Sequence, residues 1–285
     1  MITAFIAAST LAAAQPSRSI LFVGNSFTFG ADSDAMTYRK DSVTDLNGDG
    51  MGGVAALFKR FADETGLHYT VSLETAAGQT LSWHLKNKRR VIDRRWDAVV
   101  LQQYSTLDPD KPGDVANTIP AARDLARLFL QRNPQVDISL VATWTRPDLT
   151  YPPGKHWSGS SIERMALDLR KAEDQVRAAV PAIRRVAPVG EAFNCAIARK
   201  IADPNPYDGL TRGQIDLWAN DHYHASTEGY YLEALTIFTA VTRKDPRKLG
   251  GTEAAAHDLK IEPSVAVKLQ DIAFQMARTG RCHAA

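Results

Sequence analysis

Short runs of consecutive apolar residues, many of them β-branched, punctuate the chain at positions 19–23, 69–73, 98–101, 138–142 and 186–189. Runs of this length without alternation read as strands buried on both faces. Between and after them, apolar positions recur with a helical period at 54–64, 116–131, 162–179, 228–241 and 264–277. Strand and helix alternate, which predicts an α/β fold: a three-layer α/β/α sandwich, flavodoxin-like, around a central parallel sheet of about five strands. Right-handed crossovers put every strand's C-terminus on one edge, where open sheets of this kind bind ligands. Functional residues should therefore follow the strand ends. Three segments, at 30–53, 145–160 and 202–220, are too long and polar for simple connections and fall at that edge, as candidates for shaping substrate access.

Composition narrows the classes. The chain has 285 residues and a formal net charge of +2, with its basic residues scattered or briefly clustered, as at Lys86, Lys88, Arg89 and Arg90. Those clusters read as solvated surface, so no nucleic-acid partner is expected. Residues 1–14 form an apolar run ending in small residues, the pattern of a secretory signal with cleavage after Ala14. The expected organisation is this signal followed by a single domain over 15–285. The expected location is periplasmic or secreted, with no stable membrane insertion after cleavage. In an oxidising compartment the two cysteines, Cys195 and Cys282, could tie the C-terminal tail to the body; a buried thiol and an inert tail thiol is the alternative.

The sharpest local signal is Val23-Gly24-Asn25-Ser26-Phe27 at the end of the first apolar run. A serine on the turn after a strand is held by a rigid element where a helix may begin, and backbone N–H groups around it can stabilise a developing oxyanion. Serine needs a base to remove its proton. Asp221-His222-Tyr223-His224, just before a helical pattern, offers one: with a spacing of three, on one turn, the carboxylate can hold one imidazole nitrogen while the other faces Ser26.

Gly24-Asn25-Ser26, Gly78 in Thr75-Ala76-Ala77-Gly78-Gln79, Gln102-Gln103-Tyr104-Ser105 and Asp221-x-x-His224 follow the order of the conserved blocks of SGNH (GDSL-like) hydrolases, which the chain resembles from about residue 19 to 235. It departs from them in two places. Asn25 stands where the family has aspartate, and the Gly-x-Asn-Asp third block is replaced by glutamines, as in sialate and acetylxylan esterase relatives. The resemblance implies a serine esterase with a Ser26–His224–Asp221 triad and no metal or organic cofactor. It implies an oxyanion hole made by the N–H groups of Ser26 and Gly78 and an amide donor from Gln102, with Gln103 as the next choice. The implied substrate is a small-molecule or carbohydrate ester with a small acyl group, such as acetyl. Asn25, Trp144 and Arg146 are the substrate-contact candidates, with Trp157 near them.

Plainer readings compete at each position. Ser26 could only cap a helix, Gly78 only permit a turn, Gln102 and Gln103 only satisfy a buried strand end, and Trp144 only fill core. A non-hydrolytic glycan-binding protein on the same fold is one alternative function. Another is a metal-dependent hydrolase built on Asp221, His222 and His224, with Asp208 and Asp216 the only further ligands nearby in sequence. The run from Asp45 to Gly50 opens like a calcium loop, but its twelfth position is Ala56 where glutamate is needed.

Overall fold

The computed structural model describes residues 17–283; the secretory segment expected at 1–14 lies outside the described residues. The strands are β1 (Arg18–Gly24), β2 (Thr44–Asp45), β3 (Tyr69–Thr75), β4 (Ala98–Leu101), β5 (Asp137–Ala142) and β6 (Ile183–Pro188). The helices are α1 (Ser26–Phe29), α2 (Gly53–Glu64), α3 (Leu81–Asn87), α4 (Arg89–Ile92), α5 (Thr118–Arg132) and α6 (Pro147–Thr150), then α7 (Arg164–Ala179), α8 (Val189–Ala198), α9 (Thr227–Thr242), α10 (Ala254–Asp258) and α11 (Pro263–Phe274). The strands form one six-stranded sheet in the order β2-β3-β1-β4-β5-β6, with every pairing parallel. The sixth strand is β2, a two-residue edge strand within the long segment after α1. Two residues carry no apolar run, so the hydrophobic pattern does not show it.

Each central strand feeds two cores because successive side chains alternate faces. Ile20 and Phe22 of β1 enter a core shared with α2, α8, α9 and α11, whereas Leu21 and Val23 enter another with α3, α5 and α7. That is the three-layer sandwich, with β1 at its centre. From β1 the chain runs to β3 on one side, then crosses to β4 on the other. The C-terminal ends of β1 and β4 therefore flank a topological switch point, the crevice where such sheets bind ligands.

The fifth run reads as a strand at 186–189, but the chain turns into α8 at Val189. Gly190 is what permits this. A Cβ there would stand 2.3 Å from the carbonyl oxygen of Thr143, so α8 can pack against the end of β5 only through a glycine. The calcium-like loop is used differently as well: Asp45 pairs in the sheet, and its carboxylate accepts the N–H groups of Asn47 and Met51.

Candidate active site

β1 ends at Gly24 because nothing larger fits. A Cβ would lie 2.1 Å from Thr28 Oγ1 and 2.7 Å from Gln102 Oε1. Asn25 then turns the chain and caps α1, its Oδ1 accepting the N–H of Phe27 at 3.2 Å, and Ser26 becomes the first helical residue. The Ser26 carbonyl is fixed from three directions, by the N–H groups of Gly30 and Ala31 and by the Tyr230 hydroxyl at 3.2 Å. Among the described residues the N–H groups of Ser26 and Gly78 have no acceptor. Gly78 sits at a φ of 66° at the crest of the turn after β3, where its neighbour Gln79 takes the Asn25 Nδ2 hydrogen bond through its carbonyl.

His224, the candidate base, comes from a later segment of the chain. Asp221 and His224 lie in a loop ahead of α9, not on the helical turn expected from their spacing. Asp221 Oδ1 gathers the N–H groups of Tyr223 (3.0 Å) and His224 (2.9 Å), and its Oδ2 meets His224 Nδ1 at 2.6 Å. Burial pushes the Asp221 carboxyl up, but those N–H donors and the imidazole outweigh it and hold it below the usual carboxylate range. With Nδ1 so engaged, Nε2 is the free ring nitrogen, and it is buried without a hydrogen-bond partner.

Phe27, the residue after Ser26, stands edge-on to the His224 ring at 5.7 Å, which brings the Ser26 turn and the His224 loop together. The hydrogen bond between Ser26 and His224 is not made. Instead the Tyr223 hydroxyl has the Ser26 and Ser105 side chains as its neighbours, while burial pushes the phenol up against the opposing pull of Arg146.

Several expected contacts are corrected. Trp144 is no substrate wall: it is fully buried, stacked between Phe27 (4.0 Å) and Phe193 (5.2 Å), with its indole N–H on the Tyr223 carbonyl. Trp157 is buried too and donates to Asp168. Asn25 is buried with its amide committed to the turn. Arg146 lies beside the site but faces protein: it grips Asp148 with two nitrogens, donates to Ser105 Oγ at 3.1 Å and stacks on the Tyr223 ring at 3.8 Å.

Both glutamines face inward. Gln102 Oε1 accepts from Asn25 N (2.9 Å) and Thr28 Oγ1 (3.0 Å), while its amide nitrogen donates to the Gln103 carbonyl. Gln103 Oε1 accepts from the N–H groups of Leu81 and Tyr104, and its nitrogen donates to Thr118 at 2.8 Å. They lock the strand end to the turn around Ser26 and to the start of α3, so the plain satisfied-polar role describes what their side chains touch.

Sequence reasoning missed Asp32, whose carboxylate also reaches His224 Nδ1, at 2.9 Å. Asp32, Asp221 and His224 are the three potential ligand groups that converge within 4.8 Å among the described residues. His222 is not among them; its ring packs on Tyr207 at 4.2 Å. No local pattern marks Asp32, because the long segment after α1 alone carries it to the base.

This architecture, with a turn serine after β1 and an Asp-x-x-His loop before a late helix, is the fold of the SGNH, or GDSL-like, hydrolases. A DUF4886 family protein from Bacteroides uniformis superposes with a TM-score of 0.65 at 17% identity, over 95% of this chain and 98% of its own. A protein named a GDSL-like lipase, from Parabacteroides merdae, gives 0.52 at 18% identity over 80% and 96%. An alpha/beta hydrolase enzyme from the metagenome of Lake Arreo gives 0.51 at 16% identity over 79% and 95%. No protein-family model matches the chain, and no curated protein sequence does. At these identities the likeness establishes the fold.

Proposed function

We propose that the protein is a serine hydrolase of carboxylic esters, with Ser26 as nucleophile, His224 as general base and acid, and Asp221 as the group that orients it. The observation that carries this reading is the 2.6 Å contact of Asp221 with His224 Nδ1, which leaves a buried, unpartnered Nε2 on the edge that bears Ser26. A histidine held by a carboxylate on one nitrogen is in the tautomer that accepts a proton on the other.

In the proposed reaction Ser26 Oγ turns from Tyr223 toward Nε2, loses its proton to it and attacks the ester carbonyl. The tetrahedral oxyanion is received by the N–H groups of Ser26 and Gly78, which is consistent with their having no acceptor of their own. His224 returns the proton to the leaving alcohol, and water repeats the sequence on the acyl-enzyme. The substrate class we propose is an ester of a small acyl group, acetyl on a carbohydrate included, on the strength of the sequence resemblance. An exported location fits the same reading, and the Cys195–Cys282 disulfide supports it because such bonds persist in oxidising compartments.

The test pairs labelling with turnover. A fluorophosphonate should label the wild type at Ser26 and fail on Ser26→Ala, and a panel of chromogenic acyl esters and acetylated sugars should be hydrolysed by the wild type alone. A folded Ser26→Ala variant with undiminished hydrolysis would refute the assignment. A wild type that binds acetylated sugars without labelling or hydrolysis would favour a glycan-binding protein.

A further inference from the structure

We propose that Asp32 is a second carboxylate of the catalytic base, a positioning residue that acts through His224. The inference rests on the serine-hydrolase reading. Its observation is separate: two carboxylates converge on one imidazole nitrogen, Asp221 at 2.6 Å and Asp32 at 2.9 Å.

Asp32 is held there by its surroundings. It adopts a left-handed conformation, with φ at 59°, which is uncommon for any residue but glycine and least costly for aspartate and asparagine. The segment around it is fastened on both sides. Ala31 N–H bonds the Ser26 carbonyl, Ser33 Oγ bonds the Gly30 carbonyl, Asp34 N–H bonds Thr227 Oγ1 at the start of α9, and Gly53 N–H bonds the Ala35 carbonyl. The nucleophile turn, the loop carrying Asp32 and the helix after the base thus form one bonded unit. Among the described residues Asp32 has no other polar partner than His224.

The chemical consequence follows from charge. Nδ1 carries one hydrogen, and Asp221, the closer and better anchored carboxylate, takes it. With a neutral imidazole, Asp32 adds a second negative charge beside Asp221, and the two repel. When Nε2 accepts the Ser26 proton the ring becomes a cation between them, and repulsion gives way to attraction. Asp32 therefore favours the step in which the base is charged.

The other groups around the ring do not replace it. Tyr223 lies 4.1 Å from the His224 ring and carries the Arg146 guanidinium on its own ring, but Arg146 is already paired with Asp148. Phe27 brings no charge, and His222 turns to Tyr207. Because Asp32 is exposed, its influence is screened by salt.

Asp32→Asn is the variant of choice, since asparagine also tolerates the left-handed backbone; Asp32→Gly removes the carboxylate with no backbone cost. Two readouts separate this proposal from the hydrolase reading. The first is the His224 imidazole followed by NMR through a pH titration, which needs no activity: both variants should lose the ring proton at lower pH than the wild type. The second is the pH profile of ester hydrolysis. The acid limb should move to lower pH while plateau kcat falls about threefold to fivefold with KM unchanged, a loss typical of one exposed charge. Both differences should shrink in about 0.5 M NaCl. An unchanged His224 titration in Asp32→Asn overturns the proposal whether or not the protein hydrolyses esters. A loss in Asp32→Gly that Asp32→Asn does not share overturns it too, because it would trace the effect to the backbone.

Discussion

At the scale of single residues, the site separates groups that react from groups that hold them. Ser26→Ala should leave the fold intact and lower turnover by several orders of magnitude, as loss of a triad nucleophile does, measured by steady-state hydrolysis on protein with a native melting profile. Gln102 belongs to the holding groups. Its Oε1 is the acceptor for Asn25 N and Thr28 Oγ1, so Gln102→Ala strands two buried donors beside the nucleophile. Denaturant unfolding should register a loss of about 2 kcal/mol, and kcat should fall with it because the turn carrying Ser26 loosens. A catalytic loss without a stability loss would return Gln102 to the role of oxyanion donor. Ser26, Asp221 and His224 stand out in the sequence as candidates because each sits in a short motif whose spacing suits the chemistry proposed for it. Asp32 does not, because a long loop brings it to His224 and its residue type is common on any surface. Trp144 misleads for the opposite reason: a tryptophan just past a strand end suits a binding wall, and only packing against Phe27 and Phe193 reveals it as core.

At the scale of elements, continuous apolar runs and period-3.6 patterns locate β1, β3, β4 and β5 and the long helices to within a few residues. They fail where tertiary contacts decide. β2 exists because β3 offers an edge, and α8 exists because Gly190 allows close approach to the Thr143 carbonyl. The long helices also carry a pH sensitivity unrelated to catalysis. Glu173 of α7 is buried, and burial, with Asp174 adding to it, pushes its carboxyl from the ordinary 4.5 up to about 8. Glu233 of α9 is fully buried with no partner for either oxygen, and burial drives it up as well. An acid whose folded pKa is raised stays protonated in the native state while the unfolded chain ionises, so stability falls as pH rises from about 4.5 to 8 and levels off above. Glu173→Gln should remove its share of that slope, gaining on the wild type by about 5 kcal/mol at most once the pH passes 8. Chemical denaturation of both proteins at pH 5 and pH 9 measures this, and parallel pH dependences would show that Glu173 does not titrate in this window.

At the scale of the whole molecule, the disulfide joins Cys195 of α8 to Cys282 beyond α11 and closes a loop of 87 residues. The loop contains Asp221, His224 and all of α9, so the bond restrains the segment that carries the base. Reduction should lower stability by about 2–4 kcal/mol, read as a drop in melting temperature, while thiol titration of the unreduced, denatured protein should find none free. Two free thiols would remove the bond from the account. The placement of the catalytic residues has a further effect in time. Ser26 precedes His224 in the chain, with the sheet's other five strands between them. A ribosome adding about 5–20 residues per second releases the nucleophile roughly ten to forty seconds before the base. Throughout that interval the nascent chain holds a serine without the base proposed to activate it. Under the proposed chemistry, a chain synthesised only as far as β6 carries the nucleophile but no means to use it.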